Sequence, residues 1–175
     1  MLDLENLQNY RENNQLEAKQ ALGGLPESIW ETYSAFANAE GGLILLGVEE
    51  LPDKSLRPVD LLDPGWLIDD FWTLLNDPQK VSANILTPEN IQVHHIDGNQ
   101  IITITVPRAD ASHFPIYIDN DPVHGAYYRR GEGDYSLSPE QKEVMAREEL
   151  KYCPHGRPIC VTLSKKQLEK QFKRS

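Results

Sequence analysis

The sequence has little cysteine and no long hydrophobic segment. Its two cysteines, Cys153 and Cys160, are too few for a disulfide framework. The longest apolar run, Leu43 to Leu46 with Val48 nearby, is far shorter than the ~20 residues that span a bilayer. The first residues, MLDLENLQNYRENN, are acidic and polar, so we expect no secretory signal. These features predict a cytoplasmic protein in a reducing compartment, with no membrane partner.

Positive charge is also scarce over most of the chain. The 175 residues include 17 basic and 27 acidic side chains, which gives a formal net charge of −10. Residues 1–150 have a net charge of −16 and residues 151–175 a net charge of +6. Proteins bind nucleic-acid phosphates through clustered Lys and Arg. The acidic body, residues 1–150, is therefore expected to bind polyanions weakly, and the basic tail, residues 151–175, is the better candidate for such binding. Attraction between tail and body explains the asymmetry equally well.

Local signals predict the helices. A weak apolar stripe indicates a short helix over residues 2–11, and apolar residues at helical spacing predict a helix from Ile29 that ends at Asn38. A cap with proline at the first helical position starts another helix at Asp63-Pro64, which Asp77-Pro78 closes. The capping box Ser138–Gln141 starts a last helix of the body that runs to about Leu150.

Strands are predicted between these helices. A short extended stretch covers residues 15–20, Leu43 to Val48 is typical of a buried strand, and Asp97-Gly98-Asn99 joins two strands in a hairpin. A second pair is predicted for residues 116–118 with 126–129. The order favours an α+β fold, with a mixed, mostly antiparallel sheet and helices packed on it. We expect a domain over residues 1–150 and a basic extension over 151–175. Neither a G-x-G-x-x-G motif nor a Walker P-loop is present, so no nucleotide site is predicted.

Three carboxylates form the first candidate site. Glu12 and Glu17 diverge on a regular helix or strand, and converge only if Asn13-Asn14 turns the chain. Glu50 follows the buried strand. Three carboxylates suit Mg²⁺ or Mn²⁺, although solvated surface acids explain the same residues.

Two further groups of residues are candidate binding sites, one for nucleic acid and one for a metal ion. Tyr128, Arg129 and Arg130 can stack bases and hold phosphates, or can pack inward and pair with acids. In the tail, Cys153, His155 and Cys160 are soft ligands for Zn²⁺. They are one ligand short of a closed site, and His113 or His124 could complete it.

Several of these segments together resemble the Schlafen AlbA-like domain over about residues 5–148. The resemblance is carried by Glu12, the Leu16–Lys19 stretch, Ile29–Gly42 with its A-F-A-N-x-x-G-G motif, the strand from Leu43 to Val48, and Tyr128–Gly131. It implies a nucleic-acid-associated module that often occurs in bacterial transcriptional regulators and is regarded as DNA-binding. It makes Lys19, Tyr128, Arg129 and Arg130 candidates for nucleic-acid contact.

In some animal Schlafens the domain is a metal-dependent ribonuclease with three acids, which here would be Glu12, Glu17 and Glu50. This chain has Glu where the family has Asp at the third position, Ala18 where an aromatic residue is usual, and one lobe instead of two. The segment from Cys153 to Arg174 resembles the end of MutL-type mismatch-repair proteins. The D-Q-H-A-x-x-E metal motif of those proteins is absent from this sequence, so the resemblance implies no endonuclease function.

Three functions follow from these observations. The first is a nucleic-acid-binding module, the second a metal-dependent nuclease, and the third an interaction module such as a homodimer. The resemblance favours the first.

Overall fold

Residues 2–151 are described by the computed structural model, with side chains up to Arg147. In chain order the elements are a 3₁₀ helix (Leu4–Asn9), β1 (Leu16–Lys19), α1 (Ser28–Asn38), β2 (Gly42–Leu46), β3 (Val48–Glu50), β4 (Leu56–Pro58), α2 (Pro64–Leu75), a 3₁₀ turn (Pro88–Asn90), β5 (Ile91–Ile96), β6 (Asn99–Val106), β7 (Tyr127–Arg130), β8 (Gly133–Ser136) and α3 (Pro139–Lys151). The helices predicted from Ile29, Asp63 and Ser138 and the β5–β6 hairpin are confirmed, whereas the short helix predicted over residues 2–11 is a 3₁₀ helix at Leu4–Asn9.

The main sheet has the strand order β1-β2-β6-β5. β1 runs parallel to β2, whereas the β2–β6 and β6–β5 pairs are antiparallel. Two separate hairpins, β3–β4 and β7–β8, complete the described strands. The predicted α+β class with a mostly antiparallel sheet is therefore confirmed.

Helix α1 supplies the centre of the main core. Trp30, Tyr33 and Phe36 are at most 1% exposed, as their spacing predicts. The Trp30 ring stacks on Phe71 of α2, with centroids 5.1 Å apart. Burying side chains of this size stabilises the fold by about 1.5–3 kcal/mol each.

The predicted strand from Leu43 to Val48 is divided at Gly47. This glycine has φ +82°, and a Cβ there would lie 2.7 Å from Leu61 Cγ. The left-handed backbone ends β2 and redirects the chain into β3, which pairs with β4 outside the main sheet. Because of this division, Glu50 lies at the end of β3, outside the main sheet, rather than at the end of one continuous strand.

The predicted pairing of residues 116–118 with 126–129 is reduced to one bridge, Tyr117 with Ala126. The backbone of Ile116 is instead hydrogen-bonded to side chains of α1. The Ile116 carbonyl oxygen accepts hydrogen bonds from Ser34 Oγ (2.7 Å) and Asn38 Nδ2 (2.9 Å). The true partner of β7 is β8, which the sequence reasoning missed.

Candidate functional site

A tight turn brings Glu12 and Glu17 to the same place. Asn13 and Leu16 exchange backbone hydrogen bonds, and Asn13 Oδ1 accepts one from the Gln15 amide at 2.7 Å. This Asx turn reverses the chain directly after Glu12 and starts β1, which carries Glu17. The turn that convergence requires is therefore present.

Glu50, at the end of β3, completes the acidic cluster. Burial is the main cause that raises the pKa of Glu12 to about 9, and hydrogen bonding and repulsion from Glu17 and then Glu50 add to it. Glu12 consequently carries a proton at neutral pH. The structure thus brings the three predicted acids within reach of one another.

Basic side chains compensate the other two acids. Glu17 lies 3.7 Å from Lys19 Nζ and 3.5 Å from Arg129 Nη2, and Glu50 lies 3.4 Å from Lys54 Nζ. Carboxylates suit Mg²⁺ or Mn²⁺ chemically. Between residues 2 and 151, however, no group of three or more His, Cys, Asp or Glu side chains is arranged to hold a metal ion. The donor types fit a divalent cation, but in the described arrangement Glu12 has a raised pKa and Glu17 and Glu50 form ion pairs with basic side chains.

Arg129 is a buried residue that contacts several segments beside the three glutamates. Its side chain has no exposed surface, and its guanidinium lies 4.9 Å from the Phe36 ring centroid. It donates to Asn13 O and Leu16 O at 2.9 and 3.1 Å, and to Asp134 Oδ1 at 2.8 Å. Arg129 therefore joins the turn before β1 to the β7–β8 hairpin, and its donors face protein acceptors rather than solvent.

Polar residues of α1 fix the same hairpin from its other side. The Asn38 side chain donates to Tyr127 O at 2.8 Å and accepts from Ile116 N at 2.8 Å. Ser34 Oγ accepts from Tyr127 N at 2.9 Å, and Thr32 Oγ1 donates to Asp134 Oδ2 at 2.7 Å. The asparagine of the A-F-A-N motif thus fastens two extended segments to α1. The sequence pattern predicts only that the helix ends at Asn38.

The four residues predicted to contact nucleic acid differ in how far they are exposed to solvent. Lys19 is 10% exposed and donates to Ser28 Oγ, and Tyr128 is half-buried against a small apolar cluster. Arg130 is exposed at the end of β7, with its guanidinium 5.7 Å from the Tyr135 ring centroid. Tyr135, which is 55% exposed, was missed, because its strand was not predicted.

The predicted zinc ligands Cys153, His155 and Cys160 lie outside the described residues. The two histidines considered as a fourth ligand have other neighbours: His113 Nδ1 is 2.9 Å from Asp110, and His124 Nδ1 is 3.5 Å from Asp121. None of the helices within residues 2–151 has the length and apolar character needed to cross a membrane.

Known proteins share both this sequence pattern and this fold. The profile of the family described as Schlafen, AlbA_2 matches residues 12–138. The N-terminal domain of a Nitrosomonas europaea protein, described as related to the ATP-dependent DNA helicase RecG, is 30% identical, with a TM-score of 0.58. That match covers 74% of this chain and 89% of that domain.

A second similar structure supports the fold alone. The DIP2311 protein from Corynebacterium diphtheriae is 17% identical, with a TM-score of 0.54 over 78% of this chain and 24% of its own. No curated protein matches this chain. The family match ends before Cys153, and no match supports the resemblance of the tail to MutL-type proteins. The match over residues 12–138 shows that the chain belongs to the Schlafen AlbA_2 family.

Proposed function

We propose that this chain is a nucleic-acid-binding domain that contacts its ligand at the β7–β8 hairpin and does not cleave it. Membership of the Schlafen AlbA_2 family and the similarity to a RecG-related domain support an association with nucleic acid. A DNA-binding role in a transcriptional regulator is the finer form of this proposal.

The exposed pair of Arg130 and Tyr135 is the observation that carries the proposal. A guanidinium beside an exposed aromatic ring offers a cation for phosphate and a surface on which a base can stack. Such stacking tolerates any base, so it favours single-stranded or unpaired nucleic acid. The hairpin is held rigidly by Arg129 and Asn38, so the pair is presented in a fixed place.

The remaining predicted contacts receive other roles in this proposal. Arg129 and Lys19 are positioning residues, because their cations already bind Asp134 and Glu17 inside the fold. With so few cations available on an acidic body, binding is expected to be weak and strongly dependent on salt.

Fluorescence anisotropy with labelled single-stranded DNA and RNA tests the proposal. Arg130→Ala and Tyr135→Ala should each weaken binding by about 1–3 kcal/mol, roughly five- to 150-fold, and Arg130→Ala should also lower the salt slope by about one. Arg147→Ala is the matched control, since Arg147 is an exposed arginine in an ion pair on α3.

Two results would contradict the proposal. Equal losses for Arg130→Ala and Arg147→Ala would indicate an effect of net charge alone. Wild-type protein without salt-dependent binding would favour the interaction module instead.

The convergence of Glu12, Glu17 and Glu50 favours a second candidate, a metal-dependent nuclease. Carboxylates this close together could accept a divalent cation, although their described arrangement does not form such a site. Glu17→Gln and Glu50→Gln would then abolish Mn²⁺-dependent cleavage of RNA or DNA. In a protein that only binds, both variants should bind as well as wild type or more tightly, because each removes a negative charge.

A further inference from the structure

An exposed apolar groove lies between the loop after β1 and the start of α2. Leu62, Leu22 and Trp66 line it, and they are the most exposed large hydrophobic residues of the described chain, at 92%, 59% and 58%. The groove has a volume of about 420 Å³, and its floor includes the buried Leu61 and Leu67 of the main core. A concentration of exposed apolar side chains at one place indicates a surface for a partner.

The rim of this groove is acidic. Asp60 and Asp63 line it, and both are held in place, since Asp60 accepts from the Gln100 amide at 2.7 Å and Asp63 from the Trp66 amide at 3.0 Å. Asp69 and Asp70 follow Trp66 at helical spacing, so they share its face of α2. No Lys or Arg is among the residues that line the groove. Its occupant should therefore combine apolar side chains with positive charge.

We propose that the groove binds the basic C-terminal segment of this same chain, residues 152–175. The sequence predicts a helix that Ser164 caps and that runs to Arg174. On such a helix Leu168 and Phe172 are four residues apart, so their side chains would share one face. Lys165, three residues before Leu168, would lie on the same face and complement the aspartates of the rim. A second copy of the acidic body would meet the same aspartates with like charge.

The chain is long enough for this contact. Twenty-four residues after α3 reach up to about 80 Å when extended, while a domain of this size is roughly 40 Å across. The segment can therefore reach the groove of its own molecule from any point at which α3 ends.

Fluorine NMR of the full chain, labelled with 5-fluorotryptophan, tests the proposal at the groove itself. The three tryptophans give three signals, and Trp66→Phe assigns the one of interest. The double variant Leu168→Asp/Phe172→Asp should at least double the difference in the Trp66 shift between H₂O and D₂O, because the ring becomes exposed. The matched control Gln167→Asp/Gln171→Asp adds the same charge on another face and should leave that shift unchanged.

The signals of Trp30 and Trp72 report the fold in every variant. High salt should expose Trp66 in the wild type, since it screens the attraction between lysines and aspartates. A Trp66 signal in the wild type that changes neither with Leu168→Asp/Phe172→Asp nor with salt would refute the docking. Protection of Trp66 that grows with protein concentration and survives Leu168→Asp/Phe172→Asp would assign the groove to a second copy and refute it equally.

Discussion

Replacement of Arg129 by Met tests the central contact of the site. The variant keeps most of the apolar stem and removes the guanidinium, which is fully buried. Asp134 then loses its cationic partner at 2.8 Å and keeps only the Thr32 hydroxyl as a donor, and the carbonyl oxygens of Asn13 and Leu16 lose their guanidinium donors. Removing one partner of a buried ion pair costs about 3–5 kcal/mol, because the remaining charge stays buried and unpaired.

The expected loss is large compared with the stability of a domain, which is about 5–15 kcal/mol. Urea unfolding followed by circular dichroism measures it. With a slope of about 2 kcal/mol per M, the midpoint should fall by roughly 1.5–2.5 M.

Two further variants show whether the loss of stability comes from the buried guanidinium of Arg129. Arg129→Lys keeps the charge but lacks the planar fork that binds several acceptors, so it should lose less than Arg129→Met. Arg130→Met removes an exposed guanidinium and should change stability by at most about 0.5 kcal/mol. If Arg129→Met unfolds at the wild-type midpoint while nucleic-acid binding is lost, Arg129 contacts phosphate directly and its assignment as a positioning residue is wrong.

Three further predictions concern residues around the site. Because the pKa of Glu12 is raised from 4.5 to about 9, the folded state binds the extra proton between these values, so this group's contribution to stability falls as the pH rises. The free energy of unfolding can fall by at most about 1.4 kcal/mol per pH unit from this group. Because solvent screens this half-buried side chain, we expect a slope of about 1 kcal/mol per pH unit between pH 6 and 8. Urea unfolding should show this slope in the wild type and not in Glu12→Gln; parallel slopes would contradict the shift. Asn38→Ala leaves buried backbone groups unsatisfied and should cost about 2–4 kcal/mol in chemical denaturation, whereas Asn14→Ala, at an exposed turn, should cost little. Gly47→Ala meets both a left-handed φ and a leucine side chain and should lower the thermal midpoint by several degrees, while Gly23→Ala, which has open space, should not.

Much of the fold could be predicted because its signals are local. Asp63-Pro64 and Ser138-Pro139 cap their own helices, and Asp97-Gly98 turns its own hairpin through two left-handed residues. These signals act within a few residues, so no tertiary contact is needed to recognise them. The Asn13-Asn14 turn belongs to the same class, and it correctly indicated how Glu12 and Glu17 meet.

Other features depended on partners far along the chain. Arg129 lies 113 residues from Leu16, and Asn38 lies 78 residues from Ile116. From the sequence, an arginine beside tyrosines is equally compatible with phosphate binding and with burial, and only the buried acceptors around Arg129 distinguish the two. The second strand of the β7–β8 hairpin was missed because Gly133–Ser136 has no apolar alternation.

The sequence by itself thus determined the helices, the main hairpin, the α+β class and the three acids worth examining, since each follows from periodicity, caps or residue chemistry. Only the tertiary structure decided that Gly47 redirects Glu50 towards Glu12, that Arg129 is enclosed, and that Arg130 and Tyr135 share an exposed face. The reason is physical: burial and charge pairing are properties of the assembled core, and no local stretch of the chain encodes them alone.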